Sequence, residues 1–148
     1  MGHGDRRPAD RTASRTRGPR GARTRQSPNP LPAGIDLKNS LKAELKLGNA
    51  RPLDLTGTPL FTVRRSRAVT LGLHNPSGQL QVVHLHGHHF RLLDRLDDGW
   101  KPYWMDTLLV GDAIERVAFV ADNPGKWLLE GRALERPDTE TAAWFVVD

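Results

Sequence analysis

Residues 81–90, QVVHLHGHHF, concentrate the coordinating chemistry of the chain. Four of its six histidines, His84, His86, His88 and His89, fall within six consecutive positions. In an extended strand His84, His86 and His88 project to one face, and Leu85 and His89 to the other. Gly87 interrupts the run, and a glycine there marks a bulge or the close approach of another group. Imidazoles at i and i+2 can reach one pocket or two neighbouring ions. Neutral imidazole serves copper, zinc, nickel or iron, so residue type leaves the metal open. A polar strand face or a hydrogen-bonded core histidine is the plainer alternative, but the density of the cluster on an apolar strand favours metal ancestry. Asp106 is placed either to orient a ligating histidine or to sit solvated at a strand end. No Ser-His-Asp spacing and no Gly-rich phosphate loop accompanies the cluster, and Asp97-Asp98-Gly99 is ordinary hairpin chemistry.

Cysteine is absent, which excludes disulfides, thiolate metal sites and cysteine nucleophiles. The net charge of +5 is not spread evenly. Residues 1–30 carry eight arginines against Asp5 and Asp10, so the remainder of the chain sums to about −1. This stretch has no apolar residue between Met1 and Pro30 larger than alanine, proline aside, and reads as a disordered basic tail. Nucleic acid or anionic lipid is a partner only through that tail, by salt-dependent attraction. No apolar segment follows Arg6-Arg7, so no export signal is visible, and no apolar run is long enough to span a membrane. As written, the chain reads as cytoplasmic.

The elements that must position the histidines are short. Residues 27–34, SPNPLPAG, read as a linker. Over residues 36–47 a spacing of four (Leu37, Leu41, Leu45) competes with alternation (Leu41, Ala43, Leu45, Leu47), and the alternation predicts a strand over 41–47. Further strands are predicted over 60–63, 69–73, 81–85, 90–93, 107–110, 116–121, 126–129 and 144–147. Turn formers separate them at Asn75-Pro76-Ser77-Gly78, Asp97-Asp98-Gly99, Gly111-Asp112, Asn123-Pro124-Gly125 and Pro137-Asp138. Short strands at this spacing predict an all-β sandwich or barrel. The four tryptophans, Trp100, Trp104, Trp127 and Trp144, read as packing anchors.

The segments VVHLHGHHFRLLD, WMDTLLV, ERVAFVADNPGKWLL and AAWFVVD together resemble the C-terminal cupredoxin (plastocyanin-like) domain of multicopper oxidases, the laccase-like group, from about residue 59 to 148. The resemblance implies an all-β Greek-key cupredoxin sandwich over 59–148, with 31–58 a linker and possible first strand. It also implies a copper-dependent oxidoreductase lineage whose members are periplasmic or extracellular. In the family motif His-Pro-x-His-Leu-His-Gly, the first histidine binds the type 1 (blue) copper, and the next two bind the trinuclear cluster. Here those positions are Gln81, His84 and His86, with Val82 in place of proline. In the second motif, His-Cys-His-x-x-x-His, the positions are Glu130, Gly131, Arg132 and Arg136, with the axial ligand near Thr141.

The metal ligands that the resemblance carries over are therefore His84 and His86 alone, and no catalytic residue. The copper site is partial or lost, because a blue site needs a thiolate. Arg132 and Arg136 bring fixed positive charge to ligand positions. The expectation is a degenerate domain with at most partial copper binding and no autonomous oxidase activity. One alternative is a subunit sharing a trinuclear site with another cupredoxin domain or subunit. The others are a metal-free structural or interaction module and a truncated gene product.

Overall fold

The structure, a computed structural model, describes residues 36–48, 55–93, 101, 104–136 and 140–148. The basic tail, the 27–34 linker, Asp94, Trp100 and the turns at Asp97-Asp98-Gly99 and Pro137-Asp138 lie outside the described residues. Nine strands form, with no helix among the described residues. They are β1 (Leu41–Lys46), β2 (Thr62–Val63), β3 (Arg67–His74), β4 (Gln81–Leu85), β5 (Arg91–Leu92), β6 (Thr107–Val110), β7 (Glu115–Ala121), β8 (Gly125–Ala133) and β9 (Glu140–Val147). One sheet has the order β1-β3-β7-β5 and the other β2-β9-β8-β4-β6.

Alternation decides the contested first segment. Leu45 and Leu47 are buried, and Leu41 and Ala43 pack against the core, so β1 lies parallel to β3 as a strand. Leu37, which suggested helical spacing, belongs to a turn in which Asp36 Oδ1 accepts the N–H groups of Lys38 and Asn39. The bond from the Asn39 side chain is the main reason the Asp36 carboxyl sits below its usual pKa.

The core lies between the sheets. Val69, Leu71 and Leu73 of β3 and Val117 and Phe119 of β7 meet Val83 and Leu85 of β4, Leu129 of β8, and Phe145 and Val147 of β9. Each fully buried side chain of this size contributes about 1.5–3 kcal/mol relative to exposure. Phe119 and Phe145 pack 5.8 Å apart by ring centroid at a tilted angle, a favourable aromatic geometry.

Most strand ends lie within two residues of those expected, and the two largest differences fall at β8 and β9. β8 continues through Glu130-Gly131-Arg132 to Ala133, and β9 begins at Glu140. Neither extension has strong β-formers throughout. Each is held by backbone pairing, because β8 runs between β4 and β9 and its register pairs Glu130 with His84 on one side and Ala142 on the other. Of the tryptophans, Trp127 packs against the core, and Trp144 is buried with its indole N–H donating to Thr56 O. Trp104 is 44% exposed, with Arg91 lying over its ring, so it is no interior anchor.

Candidate metal centre

β4 sorts its residues by parity. Gln81, Val83 and Leu85 point between the sheets, while Val82 and His84 point outward and are half-buried. His86 follows the strand on the same outer side, its ring 4.4 Å from that of His84 at 72°. The expected third member of this face does not join them. β4 stops at Leu85, and Gly87 adopts φ +72°, which breaks the period of two. A Cβ on Gly87 would stand 2.2 Å from Cε3 of Trp127, so the close approach expected at this glycine is the indole. After the turn His88 swings inward, with its side chain fully buried against Phe119, Trp127 and Phe145, while His89 is exposed.

The hydrogen bonds fix which ring nitrogens are bare. Thr107 donates its hydroxyl proton to Asp106 Oδ1 at 2.9 Å. It therefore accepts from His84 Nδ1–H at 3.0 Å, leaving Nε2 of His84 with a free lone pair. His86 donates Nε2–H to Glu130 Oε1 at 3.1 Å, which leaves Nδ1 bare in the neutral ring. Asp106 thus orients His84 through Thr107, and Glu130 orients His86, the arrangement that carboxylates adopt behind ligating imidazoles. Thr107 and Glu130 could not be assigned these roles from sequence, because strand register across β6, β4 and β8 brings them there.

His88 is a structural histidine. Its Nδ1–H donates to His86 O, and its Nε2 accepts the Asn123 N–H, each at 3.4 Å. Burial lowers its pKa, against the raising effects of the His86 carbonyl and Asp122.

Beside the histidine pair, a cavity of about 330 Å³ is bounded by Val82, His84, Glu130, Gly131, Arg132 and Glu140. Arg132 is tied to Glu140 by an ion pair, so its charge is matched at the edge of the cavity. Arg136 is exposed. Among the described residues, no three His, Cys, Asp or Glu side chains converge as a metal site. The outer pair therefore offers two imidazole nitrogens, and any further ligand has to come from outside this group.

The inner positions do not fit a blue copper. The chain has no thiolate. Gly131 points between the sheets, where a Cβ would stand 3.0 Å from Leu47 Cδ2. Gln81 is 1% exposed, and its Oε1 has no hydrogen-bond partner among the described residues.

Comparison with known proteins agrees with this architecture. No curated protein sequence matches the chain. Among solved structures, 76% of the chain superposes on Lac15 from a marine microbial metagenome with TM-score 0.63 and 30% identity, covering 28% of that protein. A multi-copper oxidase from Pseudomonas thermotolerans matches 77% of the chain with TM-score 0.63 and 26% identity, covering 31% of that protein. McoA multicopper oxidase from the hyperthermophile Aquifex aeolicus, at 20% identity and TM-score 0.57 over 77% of the chain and 30% of its own, shares the fold. The chain spans about three tenths of the length of each of these proteins. A model of the multicopper oxidase family matches residues 24–148, and the chain belongs to that family as a cupredoxin-like domain.

Proposed function

We propose that the chain is a degenerate C-terminal-type multicopper oxidase domain, binding copper at most through His84 and His86 and lacking oxidase activity of its own. The observation that carries this reading is the contrast between the two faces of β4 and β8. Outward, His84 and His86 each present one bare nitrogen and are oriented by Thr107 and Glu130. Inward, the position matched to the blue-copper cysteine is a glycine in a chain without cysteine. Copper held by the outer pair would supply Lewis acidity and one-electron chemistry. No thiolate is present to carry electrons to it from a substrate.

An anaerobic Cu(II) titration of the full chain tests the proposal. Wild type is expected to bind up to one ion without intense blue absorption, and the His84→Ala/His86→Ala double variant to lose that binding. Equal binding by both proteins rejects the histidine site. No binding by either leaves a metal-free structural module.

A second reading is favoured by the outer sheet face. Leu109, 51% exposed, pairs across from Val82 beside His84, leaving apolar surface next to an incomplete ligand set. In this reading a second cupredoxin domain or subunit covers the face and completes the site. Copper-dependent oxygen uptake by a copurified pair, absent from either part alone, is the expected result. Failure of any cupredoxin partner to copurify or to confer uptake removes it.

A further inference from the structure

The residue before Gly48 enters the core at the position that the family resemblance matches to the blue copper. Leu47 donates its N–H to His74 O at 2.8 Å and is 1% exposed. Gly48, at φ +91°, donates its N–H to Thr141 Oγ1 at 2.9 Å. These two bonds fasten the end of β1 to β3 in its own sheet and to β9 in the opposite one. Between them the Leu47 side chain reaches Gly131, and a Cβ on Gly131 would lie 3.0 Å from Leu47 Cδ2, 3.7 Å from Val83 Cγ2 and 3.8 Å from Thr141 Cβ. Gly48 packs tightly as well, since a Cβ there would meet Ser77 Cβ at 3.2 Å. Ser77 Oγ in turn accepts Gln81 Nε2–H at 3.3 Å. Gln81, Gly131 and Thr141, three positions matched to blue-copper ligands, thus belong to one cluster closed by Leu47 and Gly48.

We infer that Leu47 is a plug that occupies the lost blue-copper position, and that it performs by packing the strand-joining role a metal would have there. The plug requires an empty position at residue 131, because a side chain on β8 and the Leu47 methyl groups compete for the same space. It also requires Thr141, whose hydroxyl holds the Gly48 amide and so keeps the end of β1 turned inward. Thr141 remains useful at an axial position not as a metal ligand but as a hydrogen-bond acceptor. The inference rests on matching Gly131 to the missing cysteine and is independent of whether His84 and His86 bind copper.

A double-mutant cycle on the full chain, read by urea denaturation, tests the plug. Leu47→Ala and Gly131→Cys are each expected to lower the midpoint. The double variant is expected to lose less than the sum of the two, because truncating Leu47 makes room for the thiol. Strict additivity, or a Gly131→Cys midpoint equal to wild type, overturns the inference. If Gly131→Cys does not fold, Gly131→Ala with Leu47→Val carries the same cycle with a smaller insertion. The strap is read separately by amide exchange. Thr141→Val, of nearly the same shape, is expected to speed exchange of the Gly48 N–H roughly two- to tenfold, and unchanged exchange rejects its role.

Discussion

Replacing Gly87 by alanine adds one methyl group at the point where the histidine strand ends. Two costs follow from the structure. The residue sits at φ +72°, a conformation that costs a side chain with Cβ about 1–2 kcal/mol. The new Cβ would also stand 2.2, 2.4 and 2.5 Å from three atoms of the Trp127 ring. That ring cannot rotate aside freely. Its Nε1–H donates to Asn123 O at 2.8 Å, and its ring packs perpendicular to that of His88 with centroids 5.6 Å apart. Forcing a methyl group into such a contact costs roughly 1–3 kcal/mol, so the total is about 2–5 kcal/mol. Gly78 supplies the control, because its φ is +69° and nothing lies within 4 Å of its added Cβ. Gly78→Ala therefore carries only the backbone cost, and both variants gain equally from a stiffer unfolded chain. Urea denaturation of the two proteins should separate them by roughly 1–3 kcal/mol, with a larger loss of near-ultraviolet tryptophan signal in Gly87→Ala. Equal midpoints for the two variants would refute the claim that Trp127 on Gly87 positions the turn between His86 and His88.

Two further outcomes are expected. His88 is buried neutral with a lowered pKa, so as pH falls through its unfolded value near 6.5 the unfolded chain takes up the proton first. Stability should be full above that pH and decline below it; urea midpoints at pH 8 and pH 5 check this, and His88→Gln should flatten the difference. Gln81 buries an oxygen without a partner among the described residues while making one 3.3 Å bond to Ser77, whose hydroxyl keeps its bond to Asn75 Oδ1. Gln81→Leu should therefore be neutral or stabilising by up to about 1 kcal/mol, and a clear loss in thermal denaturation would show that the amide is needed.

Strands with alternating burial, such as β1 and β4, were legible in the letters, β1 only against a competing spacing of four, and turn formers helped to delimit others. What failed depended on neighbours distant in sequence. Glu130-Gly131-Arg132 looks unlike a strand, and only the backbone of β4 on one side and β9 on the other makes it one. His88 leaves the outer face because the alternation ends at Gly87, whose φ of +72° turns the chain. Glycine in a His-Gly-His run was the available signal that the period ends there. That His84 and His86 lie together on one face was readable from their spacing. Their orienting partners were not, since Thr107 and Glu130 lie 23 and 44 residues away from the histidines they bind. Leu47 gave no signal at all beyond being apolar, because filling a space left by Gly131 is a property of three-dimensional packing.

On the function proposed above, the parity of a strand lets ligand loss and ligand retention coexist in one domain. Residues at i and i+1 face opposite sides, so Gly131 reports to the core while Glu130 and Arg132 report to the outer face. A change at Gly131 is met within the core, by Leu47 and by the bond from Gly48 to Thr141. It leaves untouched the bonds that orient His84 and His86, which all lie outward. The converse holds for Arg132, whose charge is met by Glu140 on the surface without any demand on the core. The inner and outer faces of the same pair of strands are therefore separable by substitution. On the reading proposed here, electron entry is removed on the inner side, while imidazole chemistry persists on the outer side because nothing in the packing of one requires the other.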